Sequence, residues 1–211
     1  MKEIYLVRHG ESEGNVREVH QSPDTPLTEA GVLQAQTLAR RFSRISGPFS
    51  IIASPYLRTI QTAKAIAAQN LFPIDTDELL SEKKVASQLI GLSHHSSLSL
   101  KIKAMINAHA LEQNGQWQYA DEESAWQFTQ RIQRVLQKLS QRPEKKLIIV
   151  SHALTLKMLI TQILDPTGNL EHWYAMYNNF NLDNTGLSRA RYDERIGVWK
   201  IICLNDSSHL G

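Results

Sequence analysis

The residues most suited to chemistry form the tetrapeptide Arg8-His9-Gly10-Glu11, which follows the apolar run Ile4-Tyr5-Leu6-Val7. A neutral imidazole is a nucleophile without further activation, and its ordinary pKa of about 6.5 leaves most of it neutral at pH 7. Arg8 stays charged, so it can hold anionic oxygens beside His9 and also favour the neutral ring. The pair therefore indicates attack on a phosphoryl group. For Arg8-His9-Gly10 taken alone, a histidine and an arginine at the surface end of a strand remain an alternative.

The elements that must position this pair can be read from apolar periodicity. Short apolar runs predict buried strands over residues 2–7, 49–53 and 146–151, and helical spacing follows each of them. This alternation predicts an α/β fold with three layers (α/β/α), in which a mostly parallel sheet lies between helices. Such sheets bind ligands at the carboxyl ends of their strands, where His9, Arg58 and His152 would lie. We therefore expect three separate segments to meet in one crevice.

Residues 82 to about 140 have a different pattern, with two helical periodicities and no strand. Leu98 and Ile102 belong to the first periodicity, and Phe128 and Ile132 belong to the second. We expect a helical insertion that caps the crevice, within a single domain over residues 1–211. Nearer the end of the chain, residues 186–192 and 198–204 predict two strands joined by a turn.

Composition limits the possible functions. The chain has 211 residues, of which 42% are hydrophobic and 21% charged, and its net charge is +2. Basic residues are scattered, which gives no support for nucleic-acid binding, and no apolar run approaches the roughly 18 residues of a membrane span. The single cysteine, Cys203, lies in an apolar run and is expected to be a buried structural thiol. We expect a cytoplasmic protein that binds neither nucleic acid nor membranes.

Six stretches carry a family resemblance. They are LVRHGESEGN at 6–15, DTPLTEAG at 24–31, IIASPYLRTIQTA at 51–63, LLSEKK at 79–84, IIVSHA at 148–153 and NTGLSRARYD at 184–193. With these motifs in this order, the chain resembles the histidine phosphatase superfamily, which includes the cofactor-dependent phosphoglycerate mutases. The resemblance implies phosphoryl transfer by a histidine, with no cofactor and no metal ion.

The resemblance also implies the main catalytic roles. His9 would take the phosphoryl group, while Arg8, Arg58 and His152 hold its oxygens. Fixed cationic donors can stabilise the charge on three phosphoryl oxygens without a metal ion. Expulsion of an alkoxide requires an acid, and the resemblance assigns this role to Glu82.

Further contacts with phosphate or substrate are implied for five residues near these groups: Gly10, Ser12, Asn15, Gln21 and Ala153. Capping of the following turn is the alternative for Ser12. Ala153 stands where the family usually has glycine, which a negative φ would allow.

The adjacent histidines His94 and His95 raise the possibility of a zinc site. Adjacent side chains diverge, and the chain has neither an HExxH spacing nor a cysteine pair, so a solvated loop is the favoured interpretation.

The sequence thus predicts a metal-independent phosphatase that hydrolyses small phosphomonoesters through a phosphohistidine on His9. A mutase-type phosphotransferase is the main alternative, although Lys83 and Lys84 stand where mutases continue toward Tyr-Gly or Phe-Gly. A non-catalytic protein that binds a phosphorylated ligand is a third possibility. The sequence does not predict the oligomeric state.

Overall fold

The computed structural model describes residues 1–211 and contains six strands and seven α-helices. The strands are β1 (Lys2–Arg8), β2 (Ser50–Ala53), β3 (Ile74–Thr76), β4 (Lys146–Ser151), β5 (Leu187–Asp193) and β6 (Val198–Asp206). The helices are α1 (Glu13–Val16), α2 (Glu29–Phe42), α3 (Leu57–Asn70), α4 (Ser97–His109), α5 (Ala125–Gln141), α6 (Ala153–Leu164) and α7 (Leu170–Asn179). No helix is both long enough and apolar enough to cross a membrane.

All six strands form one sheet in the order β3-β2-β4-β1-β5-β6. The pairings among β3, β2, β4 and β1 are parallel, whereas β5 and β6 are antiparallel. The predicted α/β class with a mostly parallel sheet is therefore confirmed. β4 lies between β1 and β2, although it comes after both of them in the chain.

Alternation along the strands divides the core into two layers. In β1, Ile4 and Leu6 belong to a cluster of 18 buried residues that α5 and α6 cover. Tyr5 and Val7 belong to a cluster of 13 on the other face, which α2 and α3 cover. Successive side chains of a strand point to opposite faces, so an apolar run such as this one supplies both layers.

Three local features differ from the sequence-based expectation. Helix α5 falls within the expected insertion 82–140, but its apolar side packs in the larger core cluster, so it is one of the helices that cover the sheet. Strand β3 and helix α7 were not predicted from the sequence. Cys203 is half-buried rather than buried, because β6 is an edge strand.

The remainder of the insertion has a small core of its own. Ala86, Leu89 and Ile102 are buried together, with Tyr119 packed against them. This part is joined to the segment after α1 by the hydrogen bond from His20 N to Leu92 O at 3.0 Å. That it caps the crevice stays a prediction.

Candidate active site

The carboxyl ends of three neighbouring strands meet at one crevice. His9 follows β1, Ser54 follows β2 and His152 follows β4. Ladder-like hydrogen bonds fix these ends, because His9 N donates to Ser151 O and Ser54 N donates to Val150 O, each at 3.0 Å. The rings of His9 and His152 lie 5.3 Å apart between centroids, and Nε2 of His152 is 2.8 Å from Ser54 Oγ. The sheet thus brings together groups that are distant in the sequence.

His9 is held as a neutral ring in one tautomer. Its Nδ1 is 2.7 Å from the carbonyl oxygen of Gly10, which can only accept, so Nδ1 carries the proton. Its Nε2 accepts a hydrogen bond from Arg58 Nε at 3.3 Å. Burial first, and then the charges of Arg58 and Arg8, hold the pKa of His9 well below its ordinary value. The ring is only 3% exposed, and the one lone pair of Nε2 accepts from Arg58, so this long hydrogen bond must open before Nε2 can react.

Both arginines have donors to spare. Arg58 is buried and donates from Nη1 to Ser22 O at 3.0 Å, and burial lowers its pKa to about 10, which leaves it charged at pH 7. Arg8 donates from Nη1 to Leu182 O at 2.5 Å, but its buried Nε has no partner. A guanidinium has five N–H donors, so each of these side chains can still bind anionic oxygens.

His152 completes the group that we call the cradle, namely Arg8, Arg58 and His152. It is fully buried, and burial first, then the charge of Arg58, lower its pKa well below the ordinary value. Its Nδ1 is buried without a hydrogen-bond partner, like Nε of Arg8. Buried polar atoms are nearly always hydrogen-bonded, so two buried atoms without a hydrogen-bond partner at one crevice indicate a place for a ligand.

Glu82 is fixed at the amino end of α6. Its carboxylate accepts from Leu154 N at 3.1 Å, Thr155 N at 3.0 Å, Thr155 Oγ1 at 3.2 Å and Lys83 N at 2.9 Å. Three of these hydrogen bonds go to Oε1 and only the one from Leu154 N goes to Oε2, so Oε2 keeps a lone pair that can carry a proton. The charge of Glu82 also interacts with both arginines of the cradle.

An ion pair holds the segment that leads into Glu82. Arg131 on α5 binds both carboxylate oxygens of Glu123 at 2.7 Å. The same guanidinium donates to Leu79 O at 2.6 Å and to Ser81 O at 2.8 Å. Arg131 therefore acts as a support that positions Glu82 rather than as a further ligand for phosphate.

The first turn after β1 orients two amides. Ser12 caps α1 in a capping box with Asn15, which agrees with the capping alternative. Its Oγ lies 2.8 Å from Oδ1 of Asn15 and 2.8 Å from Oε1 of Gln21. Asn184, which also donates to His9 O at 3.0 Å, is 3.3 Å from Asn15 Oδ1. The amide oxygens are thus occupied, while the NH₂ groups of Asn15 and Gln21 can donate to an anion.

Gly10 and Ala153 act through the backbone. A Cβ at Gly10 would collide with the carbonyl oxygen of Gly31, so glycine here allows α2 to pack against the loop of His9. Gly10 N donates to Thr62 Oγ1 at 3.1 Å rather than pointing freely into the crevice. Ala153 begins α6 with no positive φ, which explains why alanine fits there.

The two adjacent histidines lie outside this cluster. The ring of His94 packs against that of His20 at 4.3 Å between centroids, and His95 is 3.2 Å from Glu18. No group of three or more His, Cys, Asp or Glu side chains is placed to hold a metal ion.

The sequence analysis missed some residues that border the crevice. Thr155 supports Glu82, and Asn184 supports His9 and Asn15. The buried Lys157 interacts with the charges of Arg8 and Glu82. Lys157 could have been noticed in the sequence, because it is the one charged residue of the apolar helix ALTLKMLITQIL that follows His152.

The structure is thus an α/β protein with a buried histidine between two arginines at the carboxyl edge of its sheet, and comparison with known proteins identifies the family. The profile of the histidine phosphatase superfamily (branch 1) matches residues 4–207, so the chain belongs to this family and the predicted resemblance is confirmed.

Individual relatives carry names of two kinds. Probable phosphoglycerate mutase GpmB of Proteus mirabilis is 30% identical over 215 residues, covering 100% of this chain and 95% of that protein. Among solved structures, Bacillus stearothermophilus YhfR has a TM-score of 0.83 at 25% identity, with 100% of both chains covered. Phosphoserine phosphatase from Entamoeba histolytica, in complex with 3-phosphoglyceric acid, has a TM-score of 0.78 at 25% identity over 100% of both chains.

Proposed function

We propose that this protein hydrolyses small phosphomonoesters through a phosphohistidine on His9, without a metal ion or other cofactor. One observation carries the proposal. Nε2 of the buried, neutral His9 ring is held by a long hydrogen bond from Arg58, and the cradle has two buried polar atoms without partners, Nε of Arg8 and Nδ1 of His152. A nucleophile within fixed cationic donors is what transfer of a phosphoryl group requires.

In the first step, Nε2 of His9 attacks phosphorus in line with the ester oxygen. The P–O ester bond breaks, and protonated Glu82 gives its proton to the departing oxygen. The carbonyl of Gly10 keeps the proton on Nδ1 and stabilises the positive charge that the ring gains. The cradle holds the three remaining phosphoryl oxygens throughout, so their negative charge is stabilised without reorganisation.

In the second step, water attacks the phosphohistidine. The Glu82 carboxylate takes a proton from this water, the P–N bond breaks, and inorganic phosphate leaves. His9 recovers its lone pair and Glu82 is again protonated, so each turnover restores the starting state. The four donors to Glu82 fix the direction of its carboxylate for both proton transfers.

A mutase-type phosphotransferase is the second candidate, and the name of the Proteus mirabilis relative favours it. It would share the first step but return the phosphoryl group to a hydroxyl of the substrate. The products separate the two functions. Incubation with 3-phosphoglycerate gives free phosphate from a phosphatase and the 2-phosphate isomer from a mutase.

The direct test is to trap the intermediate in the presence of a chelator. We expect a phosphoryl label that is labile in acid and stable in base, and that is absent from His9→Asn, whose kcat/KM should fall at least about 10,000-fold. His95→Gln is the matched control, because this exposed ring lies outside the crevice and should leave labelling intact. Label retained in His9→Asn, or activity that requires added zinc or magnesium, would contradict the proposal.

A further inference from the structure

A second concave surface lies outside the crevice, between α5 and the start of α7. We call it the α5 cleft. Its volume is about 460 Å³, within the range of roughly 300 to 1,000 Å³ that is typical of small-molecule sites. Its walls come from α5, from the loop before α5 and from the loop that leads into α7. Neither His9, Glu82 nor any residue of the cradle lines it, so the α5 cleft is separate from the phosphoryl site.

Trp126 on α5 gives the α5 cleft a free aromatic surface. The rings of Trp117, Trp173 and Trp199 each pack against a neighbouring ring. Trp126 instead lines the cleft, and it is 45% exposed. A tryptophan carries both a flat apolar face and an N–H donor, so an exposed indole in a concave site is suited to contact with a ligand.

Two glutamines lie on the same side of α5 as this indole. Gln130 and Gln133 follow Trp126 at i+4 and i+7, and all three line the α5 cleft. Oε1 of the buried Gln162 accepts from Nε2 of Gln133 at 3.0 Å. Oε1 of Gln133 in turn accepts from Nε2 of Gln130 at 3.3 Å. This chain of amides fixes their orientation, so Oε1 of Gln130 remains as an acceptor and each NH₂ group keeps a second donor.

The loop before α5 is fixed in an uncommon conformation. Gln113 and Asn114 both have left-handed backbone, with φ of 51° and 56°, which is unfavourable for residues other than glycine. Gly115 follows with φ of 77°, and a Cβ there would lie 2.3 Å from Cδ1 of Leu170 at the start of α7. The loop is therefore packed tightly against α7. Such a wall is already in place before a ligand binds, which lowers the entropic cost of binding.

The charge of the α5 cleft indicates what class of ligand fits. Glu171 is its only charged lining residue, and no Lys, Arg or His lines it, so a phosphate would find no cation there. Amides both donate to and accept from hydroxyl groups, and a carboxylate accepts from them. A single aromatic ring does not form the cage that binds quaternary ammonium groups. The flat indole instead matches the C–H face of a sugar ring.

We propose that the α5 cleft binds a neutral carbohydrate, with one sugar ring packed on Trp126 and its hydroxyl groups hydrogen-bonded to Gln130, Gln133 and Glu171. This binding function is additional to phosphoryl transfer and does not depend on it, because the two sites share no residue.

Calorimetric titration and ligand-observed NMR test the proposal, with maltose and cellobiose as probes. We expect saturable binding of at least one of these disaccharides, with a Kd below about 10 mM. Sorbitol carries hydroxyl groups on an open chain without a ring face, so it should bind at least about 10-fold more weakly. Inorganic phosphate, which would occupy the crevice, should leave the Kd of the disaccharide unchanged.

Variants assign the binding to the α5 cleft. Trp126→Ala removes the aromatic surface, and Gln130→Leu removes an amide at similar volume; each should raise the Kd at least about 10-fold. Both should leave hydrolysis of p-nitrophenyl phosphate unchanged, which also shows that they are folded. Trp199→Ala is the matched control, because this indole lies on β6 and does not line the cleft, and its Kd should equal that of the wild type.

Three results would overturn the inference. The first is no saturable binding of either disaccharide up to about 100 mM. The second is a Kd that stays the same in Trp126→Ala or, where that variant does not fold, in Gln130→Leu. The third is displacement of the sugar by inorganic phosphate, which would place it in the crevice. The proposed function fails in a separate way, by the absence of phosphate release from every phosphomonoester.

Discussion

The two ends of β1 each carry a cation, the buried Lys2 and the half-buried Arg8, and the two differ in how many of their donors have partners. At the start of the strand, Lys2 has an acceptor for each of its donors. At its end, Arg8 has one carbonyl partner and a buried Nε without any. Both lie against the same sheet, so burial alone does not distinguish structure from function. The difference teaches that a cation with all its partners holds the fold, whereas one that lacks partners is prepared for a ligand.

The same distinction holds within the crevice region itself. Arg131 is close enough to position Glu82, yet its donors are used by Glu123 and by the carbonyls of Leu79 and Ser81. It is therefore a supporting residue. Proximity to the site is a weaker guide to a binding role than the count of unused donors.

The largest effect expected from this comparison is in Arg8→Met. We expect kcat/KM to fall about 100- to 1,000-fold, because a donor to the phosphoryl oxygens is lost. The free energy of unfolding should stay the same or rise, since the variant removes a half-buried cation whose buried Nε has no partner. Enzyme assays and denaturant titration measure the two quantities. A marked loss of stability would show that Arg8 serves the fold as Lys2 does.

A second prediction concerns the pH dependence of stability. His9 and His152 have pKa values lowered first by burial, so below about pH 6.5 the unfolded chain takes up protons on these rings that the folded chain does not. The free energy of unfolding should therefore fall as pH drops below that value, by up to roughly 1.4 kcal/mol per pH unit for each ring.

Denaturant titrations between pH 5 and 7 measure this slope. The double variant His9→Gln/His152→Gln removes both rings and should show a shallower slope than the wild type, while His20 and His94 keep their own contributions. Equal slopes for the two proteins would mean that the crevice rings are not neutral in the fold.

The smallest effect is expected at the other end of the strand. Lys2→Met should lower the free energy of unfolding by about 1 to 2 kcal/mol, because the end of α5 loses a buried cation that compensates its dipole. Its kcat/KM for p-nitrophenyl phosphate should remain within about twofold of the wild type. A large loss of activity without loss of stability would remove the contrast between the two ends.

Local periodicity predicted most of the fold, and its failures have physical causes. Every strand was predicted except β3, which has three residues and only one half-buried apolar side chain, Ile74. Among the longer helices only α7 was missed, since Trp173 is its single buried residue. The place of β4 between β1 and β2 depends on pairing between distant segments, which no local pattern contains.

The sequence likewise predicted part of the candidate site. Placement of His9 and His152 just after strand ends, and of Arg58 in the first turn of the helix that follows β2, follows from the sequence, because parallel strands share one carboxyl edge. The hydrogen bonds that fix Glu82 cannot be predicted from the sequence, because they depend on where α6 begins relative to residue 82 in space.

The central position of β4 also affects how the chain is made. During translation, β1 and β2 leave the ribosome long before residues 146–151, the strand that joins them. Until then both strands have unpaired edges, which are templates for association with other chains. His9 is synthesised almost first, yet the residues around it come together only when most of the chain is available. An interrupted synthesis is therefore expected to yield a fragment that is prone to aggregation.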